Sequence, residues 1–377
     1  MHIKEVRAHI IKNSRGEKAI EIIVNKKYKA SAASGASTGK HEVPCFSSQG
    51  IEFSVTFINK HPHFKNFSLT EFSDLAVFDS FIPLLGGNAV VALQGACLQA
   101  MAHGNVAPYL SSRLRFPVPL GNCVGGGAHS KGIGTDIQEF LLLPKMKTMK
   151  DRVFLNRHVY DLIGKITKIK KKTDEGAFIL QKTNENVFLF LSQLLDEIKK
   201  EGYSVQLGVD VAASQFYKKG KYSYMHSSLK KNVLSKGSQI HLVNNWIQKY
   251  HLSYVEDPLQ EEDFSGFSRI HKGKNLICGD DLVTTNIERL QIALKKRSVN
   301  SIIVKPNQIG SLIKTKEIVD FCKKKGIATI ISHRSGETMD TLIADLAAAW
   351  HIPYIKTGIF GKEREAKLRR LIDLEKH

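Results

Sequence analysis

Three apolar runs in the second half of the sequence end in a carboxylate: QLGVD at Asp210, SYVED through Glu256 and LICGD at Asp280. A fourth, SIIVK, ends in Lys305. An apolar strand has no structural need for a charge at its tip, and a buried charge must be paired or bound to a metal. Three carboxylates brought together repel one another unless a cation sits between them, and an all-oxygen donor set selects Mg²⁺ or a similar hard ion over zinc. Beside such an ion a buried Lys305 would have its ammonium disfavoured and its pKa lowered, which suits a base. The next apolar run leads into SHRSGET, where Arg334, Ser335 and nearby backbone amides could cradle a phosphate. Taken singly, each feature has a plain alternative. An acid after a strand can cap the next helix, a lysine can snorkel out of a rim, and HRSG can occur in any loop. The loop SGASTG (34–39) lacks the Lys and spacing of a P-loop. GNCVGGGAHS (121–130) reads as a flexible loop with one histidine, His129.

These tips need elements to bring them together. Apolar strands are expected at 140–144, 204–210, 253–257, 276–280, 301–305, 328–332 and 353–357, alternating with amphipathic helices such as TNENVFLFLSQLLDEIKKEG. That alternation implies parallel strands with crossover helices, and it lasts long enough for a TIM-like barrel of roughly 250 residues. Asp210, Glu256, Asp280 and Lys305 then share the C-terminal end of successive strands, where barrel active sites lie. The N-terminal part reads as α+β, with strands at 3–11 and 19–24 joined by SRG and helices at 53–60, 70–80 and 89–103. SSRLRFPVPLGN reads as a linker. It divides an N-terminal α+β capping domain, 1–112, from a TIM-like barrel catalytic domain, 113–377.

Composition narrows the classes. The 42% hydrophobic content supports a large core. Five scattered cysteines without a C-x-x-C pair suggest a reduced, cytoplasmic protein without a zinc site. No signal peptide is evident, and no apolar run reaches the ~18 residues of a membrane span. A net charge of +19 favours anionic partners. The densest cluster comprises Lys165, Lys168, Lys170, Lys171 and Lys172. Without aromatic interleaving or a nucleic-acid motif, solubility is the favoured reading and nucleic-acid binding the lesser one.

Taken together the motifs resemble those of the enolase family. They are NSRG (13–16), SGASTGKHE (34–42), PVPLGN and GGGAHS (117–130), QEF (138–140), DEGAF (174–178), GVDVAAS (208–214), VEDPL (255–259), GDDLVTTN (279–286), VKPNQIGS (304–311), SHRSGET (332–338) and IKTG (355–358). They stand in family order along nearly the whole chain. The resemblance implies a barrel that begins ββαα before its βα units, and reversible dehydration of 2-phosphoglycerate to phosphoenolpyruvate in glycolysis. It implies Asp210, Glu256 and Asp280 as Mg²⁺ ligands, with a second Mg²⁺ arriving with substrate and helped by Ser37. Lys305 matches the base and Glu175, assisted by Glu139, the general acid. His129, Gln138, His333, Arg334, Ser335 and Lys356 match substrate contacts, Arg334 and Ser335 at the phosphate and Lys356 at the carboxylate. A homodimer or higher homo-oligomer is expected. Gln215 stands where the family has Glu, and IFGKEREAKLRR replaces a more usual C-terminal segment. Two other functions remain open at this point: action on another phosphorylated carboxylate, and nucleic-acid binding on the same scaffold.

Overall fold

Along HIKEVRAHIIK buried and exposed side chains roughly alternate, as a strand with one covered face requires. In the computed structural model, which describes residues 1–35 and 40–376, this segment is β1 (His2–Lys12). It pairs antiparallel with β2 (Lys18–Val24) across the SRG turn, and β2 pairs with β3 (Tyr28–Ala32). β4 (Lys65–Ser68) adds to the free edge of β1, giving the order β3-β2-β1-β4. Helix Gly87–Met101 is apolar all round and buried at every residue but Gln99. A helix of that kind needs cover on all sides. It packs on β2 and β3 on one side, and its other side meets the barrel. A Cβ at Gly95 would lie 2.9 Å from Ala30 Cβ and 2.8 Å from Leu342 Cδ2, so glycine lets the layers close.

The barrel closes from eight strands: β5 (Val118–Gly125), β6 (Glu139–Pro144), β7 (Val205–Asp210) and, after a small ribbon of β8 (Tyr217–Lys218), β9 (Lys221–Ser223) and β10 (Val233–Leu234), the strands β11 (Tyr254–Glu256), β12 (Leu276–Gly279), β13 (Ser301–Val304), β14 (Ala328–Ser332) and β15 (Tyr354–Lys356). Five of the barrel helices begin on side-chain caps that satisfy first-turn amides. Thr148, Thr183, Ser235, Asn286 and Ser311 each accept from an N–H two or three residues on.

Several expectations need correction. Parallel pairing holds for most neighbours, but β6 runs antiparallel to both β5 and β7. This is the ββαα start that the family resemblance implied, with two helices, Met149–Thr167 and Asn184–Lys200, before β7. GNCVG is not a flexible loop but the end of buried β5, and the supposed linker already contains its beginning. The run of Gly, Asn and Cys hid its strand character because small residues there make room: a Cβ at Gly121 would come within 2.7 Å of Ile359. The helix expected at 70–80 is a 3₁₀ helix, Phe72–Phe81, started by reciprocal capping between Glu71 and Asp74. β3 and β4 were not anticipated. One of the five clustered lysines is engaged, the Lys172 ammonium lying 3.2 Å from the Phe360 ring centroid and 5.3 Å from those of Tyr160 and Phe178, while Lys165, Lys168, Lys170 and Lys171 stay exposed. The Lys172 charge serves a cation–π contact rather than an open phosphate-binding face.

The C-terminal helix Lys362–Glu375 reaches back to the loop after β14 through a buried ion pair, Lys367 Nζ to Glu337 Oε2 at 2.6 Å. Glu337 also accepts the backbone N–H of Arg334 at 3.0 Å, so the pair steadies the Arg334 loop. Burial pushes the Glu337 carboxyl up, but Lys367 and His333 outweigh it and hold the group below the usual glutamate value. Its contribution to stability is therefore present above the unfolded pKa of about 4.3 and lost as pH falls through the lower folded value. Lys367→Met leaves an unpaired buried carboxylate, and about 3–5 kcal/mol of stability should be lost at pH 7. Denaturant titrations should show the difference shrinking as pH falls and Glu337 takes up its proton. A difference unchanged by acid would place its source elsewhere.

Candidate active site

Asp210 and Glu256 are the last residues of β7 and β11, Asp280 and Lys305 directly follow β12 and β13, and Lys356 ends β15. All face one end of the barrel. Because β6 runs the other way, its first residue, Glu139, lies at the same end, in register with Asp210, which is in turn in register with Glu256. His333, Arg334 and Ser335 follow β14. These residues line or underlie one cleft, lined by Gln138, Glu139, Glu175, Asp210, Asp280, Lys305, His333, Arg334, Ser335 and Lys356 among others. Glu256 is fully buried just beneath. Ser37 lies outside the described residues.

The charges inside are tightly cross-linked. Lys356 Nζ lies 3.0 Å from Asp210 Oδ2, 3.1 Å from Glu139 Oε2 and 2.8 Å from Glu256 Oε2. Lys305 pairs with Asp280, whose other oxygen accepts from Gln308 at 3.2 Å. Glu175 lies between His129, 3.5 Å away, and His333, 3.4 Å away. Gln138 donates to Asp210 at 3.2 Å. Arg334 forms a buried pair with Glu42 at 2.8 Å.

Carboxylates outnumber cations here, and protonation reflects it. Burial and then Asp210 raise Glu256 to about 8, and burial and then Asp280 raise Asp281 to about 7. Burial pushes Glu139 well up in spite of Lys356. Burial also pushes Glu175 up, but His129 and His333 prevail and hold it well below the ordinary value. In the free chain Glu139, rather than Glu175, is therefore the carboxyl disposed to carry a proton. In the free chain Lys305 follows its pairing with Asp280. Burial disfavours its charge, but Asp280 outweighs burial and holds the pKa above that of an ordinary lysine. Lys356 is likewise opposed by burial and held well up by Asp210, Glu139 and Glu256.

The donor set fits a hard divalent cation. Asp210, Glu256 and Asp280 offer only oxygen, and Glu256 Oε1 is buried with no hydrogen-bond partner among the described residues. A second group, His129, Glu139 and Glu175, offers ligand atoms within 4.8 Å of one another. Glu139 Oε2, Glu175 Oε2 and one ring nitrogen each of His129 and His333 are also buried with no well-aligned hydrogen bond among the described residues, although Glu139 Oε2 and Glu175 Oε2 keep their ion-pair contacts to Lys356 and His333. Unsatisfied polar atoms converging in one cleft are what a polar ligand would fill.

The family model for the enolase C-terminal TIM barrel domain matches residues 113–377. The chain is 36% identical to the enolase of Picrophilus torridus over 99% of its own length and 98% of that protein. It is 36% identical to the enolase of Elusimicrobium minutum, covering 99% and 95% of the two chains, and 38% identical to that of Halorubrum lacusprofundi, covering 76% and 75%. The chain belongs to the enolase family.

With that family in view, the residues that sequence reasoning left without a role become visible. Asp257 accepts the backbone N–H groups of Asp280 at 3.0 Å and Asp281 at 2.8 Å, fixing the turn that presents Asp280. Glu42, inside SGASTGKHE, reaches Arg334 and Gln308. Gln215, where the enolase pattern has Glu, donates to Gln138 and accepts from Ala128 N at 3.0 Å, tying the His129 loop to the cleft. Glu42 and Asp257 stand in quoted motifs and Gln215 directly follows one; Asp257 sits just beyond the tip of β11, whereas Glu42 and Gln215 lie at no barrel-strand tip, the signal used to find the others. Lys362–Glu375, the divergent C-terminal segment, supplies Arg364, which donates to Ser335 O at 3.1 Å.

Proposed function

We propose that this chain is a hydro-lyase that reversibly dehydrates 2-phosphoglycerate to phosphoenolpyruvate. The observation that carries this is the acid, base and phosphate-binding set collected at one barrel end in a chain similar to enolases along nearly its full length. Asp210, Glu256 and Asp280 would hold one Mg²⁺, and a second would come with substrate, with Ser37 among its contacts. A bound Mg²⁺ would supply positive charge against the substrate carboxylate.

The chain's own groups do the rest. Arg334 and Ser335 bind the phosphate, and Lys356 holds the substrate carboxylate. Lys305 takes the proton from the carbon beside that carboxylate. Glu175 and Glu139 deliver a proton to the departing hydroxyl, with His129 and His333 orienting Glu175. Gln138 steadies Asp210. The His129 loop shields the cleft from water.

Residues 1–112 act as the capping domain and 113–377 as the catalytic barrel. Family membership also supports a homo-oligomer, with a dimer as the simplest form, and a cytoplasmic, glycolytic setting. Among the described residues no helix is long and apolar enough to cross a membrane. Phosphoenolpyruvate formation followed by ultraviolet absorbance tests the reading. Turnover should appear with Mg²⁺, vanish with chelator and return when Mg²⁺ is restored. Absence of turnover with Mg²⁺, or turnover untouched by chelator, would overturn it.

A further inference from the structure

We propose that Tyr254 is a positioning residue for the cation site, its buried hydroxyl fixing Glu256 so that one carboxylate oxygen stays turned to the cation. This rests on the reading of Glu256 as a metal ligand. Tyr254 and Glu256 are two residues apart on β11, so both point into the barrel. Tyr254 is fully buried in an apolar layer that includes Leu120, Leu141, Ile303 and Ile330. A phenol placed there needs a partner, and it has one: the hydroxyl donates to Glu256 Oε2 at 2.6 Å.

The same Oε2 accepts from Lys356 Nζ at 2.8 Å, whereas Oε1 is buried and receives no hydrogen bond among the described residues. Two donors on one oxygen and none on the other define the rotation of a carboxylate whose terminal torsion is otherwise broad. Room for the ring is built into the neighbouring strand. Gly208 is in register with Tyr254, and a Cβ there would lie 2.9 Å from Tyr254 Cβ. The pair Gly208 and Tyr254 thus forms the layer directly below Asp210 and Glu256. A group that orients a metal ligand in this way typically changes metal affinity 10–100-fold when removed.

The test strips the full-length protein with chelator and titrates it with Mn²⁺, reading free ion by electron paramagnetic resonance. Tyr254→Phe removes one oxygen and keeps the ring, while Lys356 still satisfies Oε2, so the fold should be retained by circular dichroism. Its Mn²⁺ affinity should fall about 10–100-fold, and kcat at saturating Mg²⁺ should change far less than the Mg²⁺ concentration needed for half-maximal activity. Ile330→Val loosens the same layer without touching the hydroxyl and should bind Mn²⁺ as the wild type does. Wild-type affinity in Tyr254→Phe, or an equal loss in Ile330→Val, would overturn the inference. A wild-type protein that binds no Mn²⁺ would instead overturn the metal-site reading on which it rests.

Discussion

Lys305→Ala should stop exchange of the substrate's α-proton with solvent deuterium. A positioned general base contributes about 10²–10⁴-fold, so exchange followed by proton resonance should fall by at least that range. The expectation has a physical basis in position. Lys305 follows β13, lines the same cleft as Glu175 and His129, and is paired with Asp280. In the free chain Asp280 holds the Lys305 ammonium protonated, so the base form depends on Asp280 being otherwise engaged. This predicts more than loss of rate. The variant should retain its fold, since Asp280 keeps its bond to Gln308. Wild-type exchange in the variant would mean that another group removes the proton.

The reason these tips were legible in the sequence is their contrast with the strands that carry them. GVD, YVE and SIIVK each set a charge against a run of buried apolar residues, and parallel βα units put every such tip at one end. Glu139 breaks that logic. It opens its strand, and only the antiparallel course of β6 brings it to the same place, so the residue emerged from the QEF resemblance and not from the tip rule. β5 was misread for a related reason. Gly, Asn and Cys carry little strand signal, and their small size is set by what packs against them, Ile359 and Asn156 at Gly121, which lie far away in sequence.

Protonation was the least legible property. A sequence shows which groups are acids but not which neighbour each will face. The lowering expected for Lys305 concerned a site holding Mg²⁺, whereas in the free chain contact with Asp280 raises its pKa. Lys172 was counted as part of an open basic cluster, yet Phe360, almost two hundred residues later, covers it. In both cases the decisive partner comes from a separate segment, and electrostatic energy changes steeply over the few ångströms that separate the alternatives.

The same uncertainty of neighbours gives the second large expectation its form. Glu175→Gln should block loss of hydroxide while sparing proton exchange. An amide fills the space between His129 and His333 but cannot deliver a proton at neutral pH, so phosphoenolpyruvate formation should drop by about 10²–10⁴-fold while α-proton exchange continues. Glu139→Gln is the necessary companion. Burial pushes Glu139 toward its neutral form, whereas the two histidines hold Glu175 anionic in the free chain. If Glu175 donates, substrate must shift that balance, and Glu175→Gln will show exchange without dehydration as the larger defect. If the proton travels from Glu139, the same signature will appear in Glu139→Gln, with Glu175→Gln milder. Full dehydration activity in Glu175→Gln would remove Glu175 from the proton path and leave it as an anchor for the two histidines.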